Sequence, residues 1–360
     1  MKTFNPPITE IRAAGASSAR EKGPQDRPTV SIVVPCRNER NYIEACVRSL
    51  LSQERPKNDF ELLVVDGMSD DGTREILEQL ASEDGRLKII DNPRRNTPSA
   101  MNAGIRHARG EYVAILGAHA SYAPDYIRVC AEMLETQPDI WCSGGPVVSR
   151  ASTAFGAAVA LAMSHPVGVG NARHRFPDYE GDAEGACFPV FRREAFDRVG
   201  LYDETLVRNQ DDEFNLRVAK SGGRIFISPR ARCEYFVRES PAGLFRQYFQ
   251  YGYWRVAVLR KHLIPASLRQ MAPVTLFVVM LLGIVAGGWL GGYAGLIVAA
   301  ALPLVYLGLL TASAMAVASK SQFLSGLFFP VAAGIMHFAY AAGFAWALVA
   351  RPDGRKLPRK

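Results

Sequence analysis

The chain has 360 residues, 48% hydrophobic and 21% charged, a formal charge of +7 and a mean hydropathy near zero, enough for one large domain and a further unit. Those averages hide a division: Met271 to Ser319 contains no Asp, Glu, Lys or Arg, nor does Ser321 to Ala350, so Lys320 alone interrupts a run far longer than one bilayer crossing. That run excludes a purely soluble protein, and the globular charge content of the chain before it excludes disorder and a purely transmembrane protein.

In chain order, residues 1–27 read as a flexible polar tail without the apolar stretch of a signal peptide. Thr29-Val-Ser-Ile-Val-Val-Pro35 is a β-branched apolar run stopped by proline, which predicts a buried strand, and Phe60-Glu-Leu-Leu-Val-Val-Asp66 repeats the pattern. Strands are predicted again at Leu87–Asp91 and Tyr112–Leu116. Helix-length amphipathic stretches separate them at Tyr42–Gln53, Thr73–Ser82 and Pro98–Ala108, the last with Thr97 as the expected N-cap. Strand and helix alternating at this spacing predict an α/β domain with a parallel sheet and helices on both faces. Ligands on such sheets bind beyond the carboxyl ends of the strands. The polar residues there are Pro35-Cys36-Arg37-Asn38-Glu39 after the first strand, Asp66-Gly-Met-Ser-Asp-Asp-Gly-Thr73 after the second, and Gly117-Ala118-His119 after the fourth. Glycines permit tight turns and close backbone approach, and carboxylates accept hydrogen bonds from a base or ribose. Asp70 and Asp71 are equally compatible with simple capping of the next helix.

On these residues, with Asn102-Ala-Gly-Ile105, Ala108-Arg-Gly110, Gly200-Leu-Tyr-Asp-Glu204 and Asn209-Gln-Asp-Asp-Glu-Phe-Asn-Leu-Arg217, the sequence resembles the inverting, nucleotide-sugar-dependent glycosyltransferases of family 2. The resemblance covers about residues 28–240 and implies the GT-A (Rossmann-like) fold. The stretch Arg246-Gln-Tyr-Phe-Gln-Tyr-Gly252 and the apolar C-terminal region look most like the ExoA-like, succinoglycan-biosynthesis subgroup. That subgroup implies transfer from a nucleotide sugar, expected to be a UDP-sugar, to a polyprenyl-diphosphate-linked glycan.

The resemblance places the nucleotide against Pro35, Arg37, Asn38 and Glu39, with Asp66 and Asp70 at the base and ribose and Arg95 and Asn102 as further donor contacts. Arg94 and Arg95 also fit a solvated pair on a turn after Pro93. Where the family usually has Asp-x-Asp, this chain has Gly117-Ala118-His119. The resemblance makes His119 the candidate ligand of a divalent cation, Mn or Mg. The alternative is that His119 only hydrogen-bonds the diphosphate, since hard cations favour oxygen ligands.

An inverting transfer is a single displacement that needs one base for the acceptor hydroxyl. Counting back from Arg217 on the family motif assigns the base to Asp211, with Asp212 as its alternate and Glu213 able to share the role. Three adjacent acids are expected to raise one another's pKa. Stabilisation of a helix N-terminus is the plain alternative. Asp182 and Glu184, in Gly181-Asp-Ala-Glu-Gly-Ala186, are acceptor-side candidates. Arg217 joins them, as does Trp254, within a stretch only loosely similar to the Gln-x-x-Arg-Trp motif of processive synthases. A single-addition enzyme is expected. His107, His165 and His174 have no metal spacing and read as structural or solvated. Six scattered cysteines without CxxC spacing suggest neither a zinc site nor a disulfide framework.

From Arg238 to Arg269, six basic residues face the single acid Glu239, and Leu244–Ile264 interleaves them with aromatic residues. This composition predicts an amphipathic interfacial segment at 241–270, drawn to the lipid bilayer and not to nucleic acid. About three transmembrane helices follow over 271–350, with a turn at Gly287–Gly292, and a basic tail over 351–360. The placement of charge expects a bacterial inner (plasma) membrane protein with its catalytic domain facing the cytoplasm, although three spans would export the basic tail. A non-catalytic sugar-nucleotide-binding scaffold is the competing reading, on the altered Asp-x-Asp position.

Overall fold

The computed structural model describes residues 29–54, 59–118, 120–265, 267–318 and 323–350. Strands β1 (Val30–Cys36), β2 (Phe60–Asp66), β3 (Leu87–Asp91) and β4 (Tyr112–Ile115) pair in parallel in the order β3-β2-β1-β4. The crossovers between them are α1 (Ile43–Leu51), α2 (Thr73–Glu83) and α3 (Thr97–His107). The sheet continues through β9 (Val190–Arg192), β6 (Ile140–Gly144), β10 (Arg224–Ile227) and β8 (Gly181–Asp182), eight strands in all among the described residues. β9 runs antiparallel between β4 and β6. A small second sheet joins β5 (Ala120–Tyr122), β11 (Cys233–Phe236) and β7 (Val147–Arg150).

Alternation along the strands divides the core, because successive side chains point to opposite faces. Ile32, Val34, Leu62 and Val64 pack with Ile43, Val47 and Leu77 of α1 and α2 and with residues of α4 (Tyr126–Thr136). Val33, Leu63, Val65 and Val113 pack on the other side with Ile105 of α3, Phe196 of α7 (Arg193–Val199) and Phe214 of α8 (Gln210–Lys220). At the start of α3 the cap is Asn96, whose side chain accepts from Ser99 N–H at 2.9 Å, so Thr97 lies inside the helix.

The segment expected to lie in the headgroup layer packs one face against protein. The segment 241–270 forms α9 (Pro241–His262), a 3-10 turn at Leu268–Met271 and the link between them. α9 is wedged between the catalytic domain and α12 (Phe323–Val349), with Tyr253, Trp254, Arg255, Val256 and Val258 buried. A Cβ at Gly252 would overlap the Tyr340 carbonyl and one at Gly343 the Phe249 carbonyl, so the two backbones touch only because both residues are glycine. Arg260 donates to the carbonyls of Ala347 and Leu348, at 3.3 Å each, at the end of α12. Its neighbours Arg255 and Lys261 are spent on carboxylates of the catalytic domain. Four of the six basic residues, Arg255, Arg260, Lys261 and Arg269, therefore bind protein, while Arg238 and Arg246 stay exposed.

Three stretches are long and apolar enough to span a membrane: Leu268–Leu290, which contains α10 (Ala272–Leu290), then α11 (Gly292–Ala318) and α12. α10 continues through Gly287 and Gly288, so the turn expected from Gly287 shrinks to Gly291. α12 is half covered by α9 and by α5 (Ala154–Ala162), an uncharged helix of the catalytic domain. The sequence analysis did not identify α5, although the lack of charge from Ala151 to Met163 was the signal. The tail 351–360 and residues 1–28 lie outside the described residues.

Candidate active site

Beyond the ends of β1 and β2, two loops are tied to each other. The Asn38 side chain donates to Asp70 Oδ1 at 2.9 Å and accepts from the Asp70 N–H at 3.1 Å, while the Asn38 N–H donates to Ser69 Oγ at 2.9 Å. Glu39 N–H donates to Thr73 Oγ1 at 2.8 Å and Arg40 N–H to Asp71 at 3.2 Å. Asn38 and Met68 adopt left-handed backbone with φ of 57° and 56°, which the mutual ties hold in place. The Arg37 side chain lies along Gly67, where a Cβ would meet it at 3.0 Å. Asp66 is buried, accepts the Ser69 hydroxyl at 2.6 Å and its N–H at 3.1 Å, and lies 3.5 Å from Arg74. It thereby shapes the loop. Pro35, Arg37, Asn38, Glu39 and Asp70 keep partial or full exposure at the mouth of the sheet, where a nucleotide can reach them.

Asn102 and Arg95 differ from that group in burial and partners. Asn102 is buried and fully used: its side chain donates to Tyr202 O and to Glu204 Oε1 at 2.9 Å each and accepts from Tyr202 N–H at 2.9 Å. It braces α3 against the Gly200–Glu204 turn, with both of its amide hydrogens used within the protein. Arg94 pairs with Glu204, while Arg95 is exposed in left-handed backbone with φ 55°. His119 lies outside the described residues. Gly117 and Ala118 bring no ligating side chain, and among the described residues no three His, Cys, Asp or Glu side chains gather to hold a metal. Those residues do not build a metal cage.

At the start of α8 the three acids part ways. Glu213 is fully buried and bound by Arg217 Nη2 at 2.9 Å, Lys261 Nζ at 2.9 Å and His262 Nε2 at 2.9 Å. Burial opposes its charge, but these partners hold its pKa below the usual carboxylate value. Glu213 is therefore a structural tie from α8 to the end of α9, and it does not share the base role. Asp212 pairs with Arg255, itself only 4% exposed. Burial works against the Asp212 charge, yet Arg255 keeps its pKa below normal. Asp211 keeps solvent access but is ringed by protein, and desolvation followed by the adjacent Asp212 charge pushes its pKa up to about 6. Mutual elevation of all three acids does not occur, because two of them find cations.

Asp211 and Asp212 border a recess at the junction with α9. Its surroundings include His174 and Arg175 from a 3-10 turn (Arg173–Arg175), Cys187, Tyr248, Tyr251 and Arg269. Of the two readings the sequence left for His174, structural or solvated, burial favours the first: burial, then Arg175 and Arg269, push its pKa down to about 3, so it is neutral. The other acceptor-side candidates divide. Glu184 borders this region, accepting from Arg269 Nη2 at 3.0 Å and from Ser267 Oγ at 3.1 Å. Asp182 is exposed and paired with Arg224 at 2.8 Å. Arg217 is a brace, donating to Glu213 and to the carbonyls of Val199 and Leu201. Trp254 is buried in a cluster with Leu206, Val256 and Phe344. Arg175, His174, Arg255 and Tyr251 were missed in sequence, since no local motif marks them.

Residues 31–200 match the model of Glycosyl transferase family 2. The chain is 34% identical over 328 residues to the Succinoglycan biosynthesis protein ExoA of Rhizobium meliloti (strain 1021), covering 87% of this chain and 93% of that protein. It is 26% identical over 239 residues to the Dolichyl N-acetyl-alpha-D-glucosaminyl phosphate 3-beta-D-2,3-diacetamido-2,3-dideoxy-beta-D-glucuronosyltransferase of Methanococcus voltae, covering 64% of this chain and 74% of that protein. In structure it is similar to the mannosyltransferase PcManGT from Pyrobaculum calidifontis in complex with GDP-Man and Mn2+, with TM-score 0.55, 21% identity and coverage of 90% of this chain and 88% of that one. At that identity the likeness speaks to the fold.

Proposed function

The chain belongs to glycosyl transferase family 2, a GT-A-like domain followed by helices long and apolar enough to span a membrane, and on that premise we propose that it transfers a sugar, with inversion, from a nucleotide sugar to a lipid-linked glycan in polysaccharide biosynthesis. The observation that carries this reading is the single elevated carboxyl of Asp211 beside two carboxylates held ionised by cations. A general base works best with a pKa near the operating pH, and a value of about 6 leaves Asp211 mostly ionised at neutrality yet more basic than an ordinary aspartate.

In the proposed step the Asp211 carboxylate takes the proton of the acceptor hydroxyl as its oxygen attacks the anomeric carbon. The bond to the nucleoside diphosphate breaks and that diphosphate leaves. Arg255 keeps Asp212 ionised, and the Asp212 charge keeps Asp211 basic. The loops of Asn38 and Asp70 are proposed to hold the nucleoside. The relatives named for succinoglycan biosynthesis and for a dolichyl-linked acceptor support a polyprenyl-linked acceptor. The neighbour solved with GDP-Man and Mn2+ supports a divalent cation entering with the donor. A donor made in the cytosol sets the catalytic domain on the cytoplasmic side of the bacterial plasma membrane. One sugar is added per encounter, in keeping with the altered Gln-x-x-Arg-Trp stretch.

The deciding experiment presents the purified protein in lipid with a panel of UDP- and GDP-sugars and a polyprenyl-linked glycan extract. Nucleoside diphosphate release that needs one donor and the extract, and that Asp211→Asn removes, is the expected result. Donor binding with no acceptor-dependent release would favour the scaffold reading.

A further inference from the structure

Arg175 is a recessed cation with no salt bridge among the described residues. Among the described residues no carboxylate pairs with its guanidinium and no hydrogen bond from it is made to protein. A guanidinium in such a place is costly unless an anion completes it. The groups within its electrostatic reach include the thiol of Cys187 and the phenols of Tyr248, Tyr251 and Tyr235. Gln247 from α9 donates to the hydroxyls of Tyr235 at 3.1 Å and Tyr251 at 3.2 Å, which fixes two of those phenols in the ring. The rings of Tyr248 and Tyr251 meet edge to face at 5.5 Å. The side-chain oxygen of Gln247 and Nδ1 of His174, both buried, have no partner.

A planar guanidinium with several hydroxyl donors around it matches the oxygens of a phosphate. Two placements identify whose phosphate it is. Tyr251 is within electrostatic reach of both Arg175 and Asp211, so the cation and the base share a neighbour. The turn holding Arg175 is preceded by the segment Pro166–Val169 (α6), which rests on α12: the His165 ring meets Phe329 at 5.3 Å and Gly168 O lies 3.3 Å from His337 Nε2. Arg269, which also adjoins His174, is the second residue of the first membrane-length stretch. The recess thus lies where the catalytic domain meets the apolar helices.

We propose that Arg175, framed by Tyr235, Tyr248 and Tyr251, is the subsite for the phosphate that joins the acceptor glycan to its lipid. The proposal rests on the transferase reading given above and adds which residue holds the acceptor's anchor. A phosphate seated there brings the first sugars of the glycan past Tyr251 toward Asp211, and the aromatic faces offer sugars an apolar surface.

The test measures binding of a polyprenyl diphosphate to the full-length protein in detergent, by tryptophan fluorescence and without any donor, together with donor and acceptor KM in the transfer assay. Arg175→Gln should weaken polyprenyl diphosphate by about ten- to a hundredfold, the loss expected for one charge-assisted contact. Acceptor KM should rise in parallel, and donor KM should stay within about twofold. Arg175→Lys should recover part of the binding, and it decides the matter if the glutamine variant fails to fold. The assignment is overturned if the wild-type protein does not bind polyprenyl diphosphate, if both variants bind it as wild type does, or if UDP or GDP competes with it and donor KM rises instead. Because the binding arm needs no turnover, loss of the transferase reading would appear separately, as absent sugar transfer despite intact binding.

Discussion

The loops after β1 and β2 and the recess beside Asp211 are built in contrasting ways. The loops come from two short stretches, residues 35–40 and 66–74, and are tied across by the Asn38 side chain and the N–H groups of Asn38, Glu39, Arg40 and Asp70, with the buried Nε of Arg37 left unpartnered among the described residues. The recess gathers side chains from residues 174–187, 211–212, 235–255 and 269, and leaves Arg175 and polar atoms of His174 and Gln247 without protein partners. A preformed cradle suits a small, chemically constant ligand such as a nucleoside. Unfilled polar capacity suits a ligand that must supply the missing bonds itself.

The first way to break this contrast is at its chemical centre. Asp211→Asn keeps shape and removes the proton acceptor, so kcat should fall by about 10²- to 10⁴-fold with little change in donor KM. If Asp212→Asn is the more damaging change when nucleoside diphosphate release is measured, the base lies one residue on and Asp211 only tunes it.

The pH profile sharpens the point without a mutation. A base must be ionised to act, so kcat/KM should lose about tenfold per pH unit below the Asp211 pKa of about 6 and level off above it. The sign follows from desolvation and the Asp212 charge, both of which favour the protonated form. A limb near pH 4 would mean that the recess does not elevate this carboxyl.

Arg255→Gln removes the cation that holds Asp212. Turnover should drop by about tenfold with any acceptor, and stability should fall by about 1–3 kcal/mol, below the cost for a fully buried pair because the Asp212 side chain is 37% exposed. Urea unfolding beside kcat distinguishes this from a lipid-facing arginine, whose loss would leave both unchanged in detergent.

The smallest effect belongs to the preformed loops. Asn38→Ala deletes two side-chain bonds to the Asp70 loop, and donor KM should rise about three- to tenfold with acceptor KM unmoved. A rise in acceptor KM alone would place the acceptor, not the nucleoside, against this loop.

The sequence by itself determined the strands β1 to β4, the order of motifs at their ends, the acidic start of α8 and the apolar C-terminal block, because each is set by residues a few positions apart: alternation, turn chemistry and hydropathy. It could not separate Asp211, Asp212 and Glu213, which are alike in sequence. Their difference comes from Arg255, 43 residues from Asp212, and from His262, 49 residues from Glu213. Nor could it tell a lipid-seeking arginine from one buried against a carboxylate, since charge pattern records the sign of a side chain and not its partner. Asn102 likewise fits a ligand contact in sequence, and only the approach of Tyr202 and Glu204, about a hundred residues on, makes it a brace. Burial and partners are fixed by chain segments that meet only on folding, so the tertiary structure alone decided which acid is basic and which arginines are spent on carboxylates.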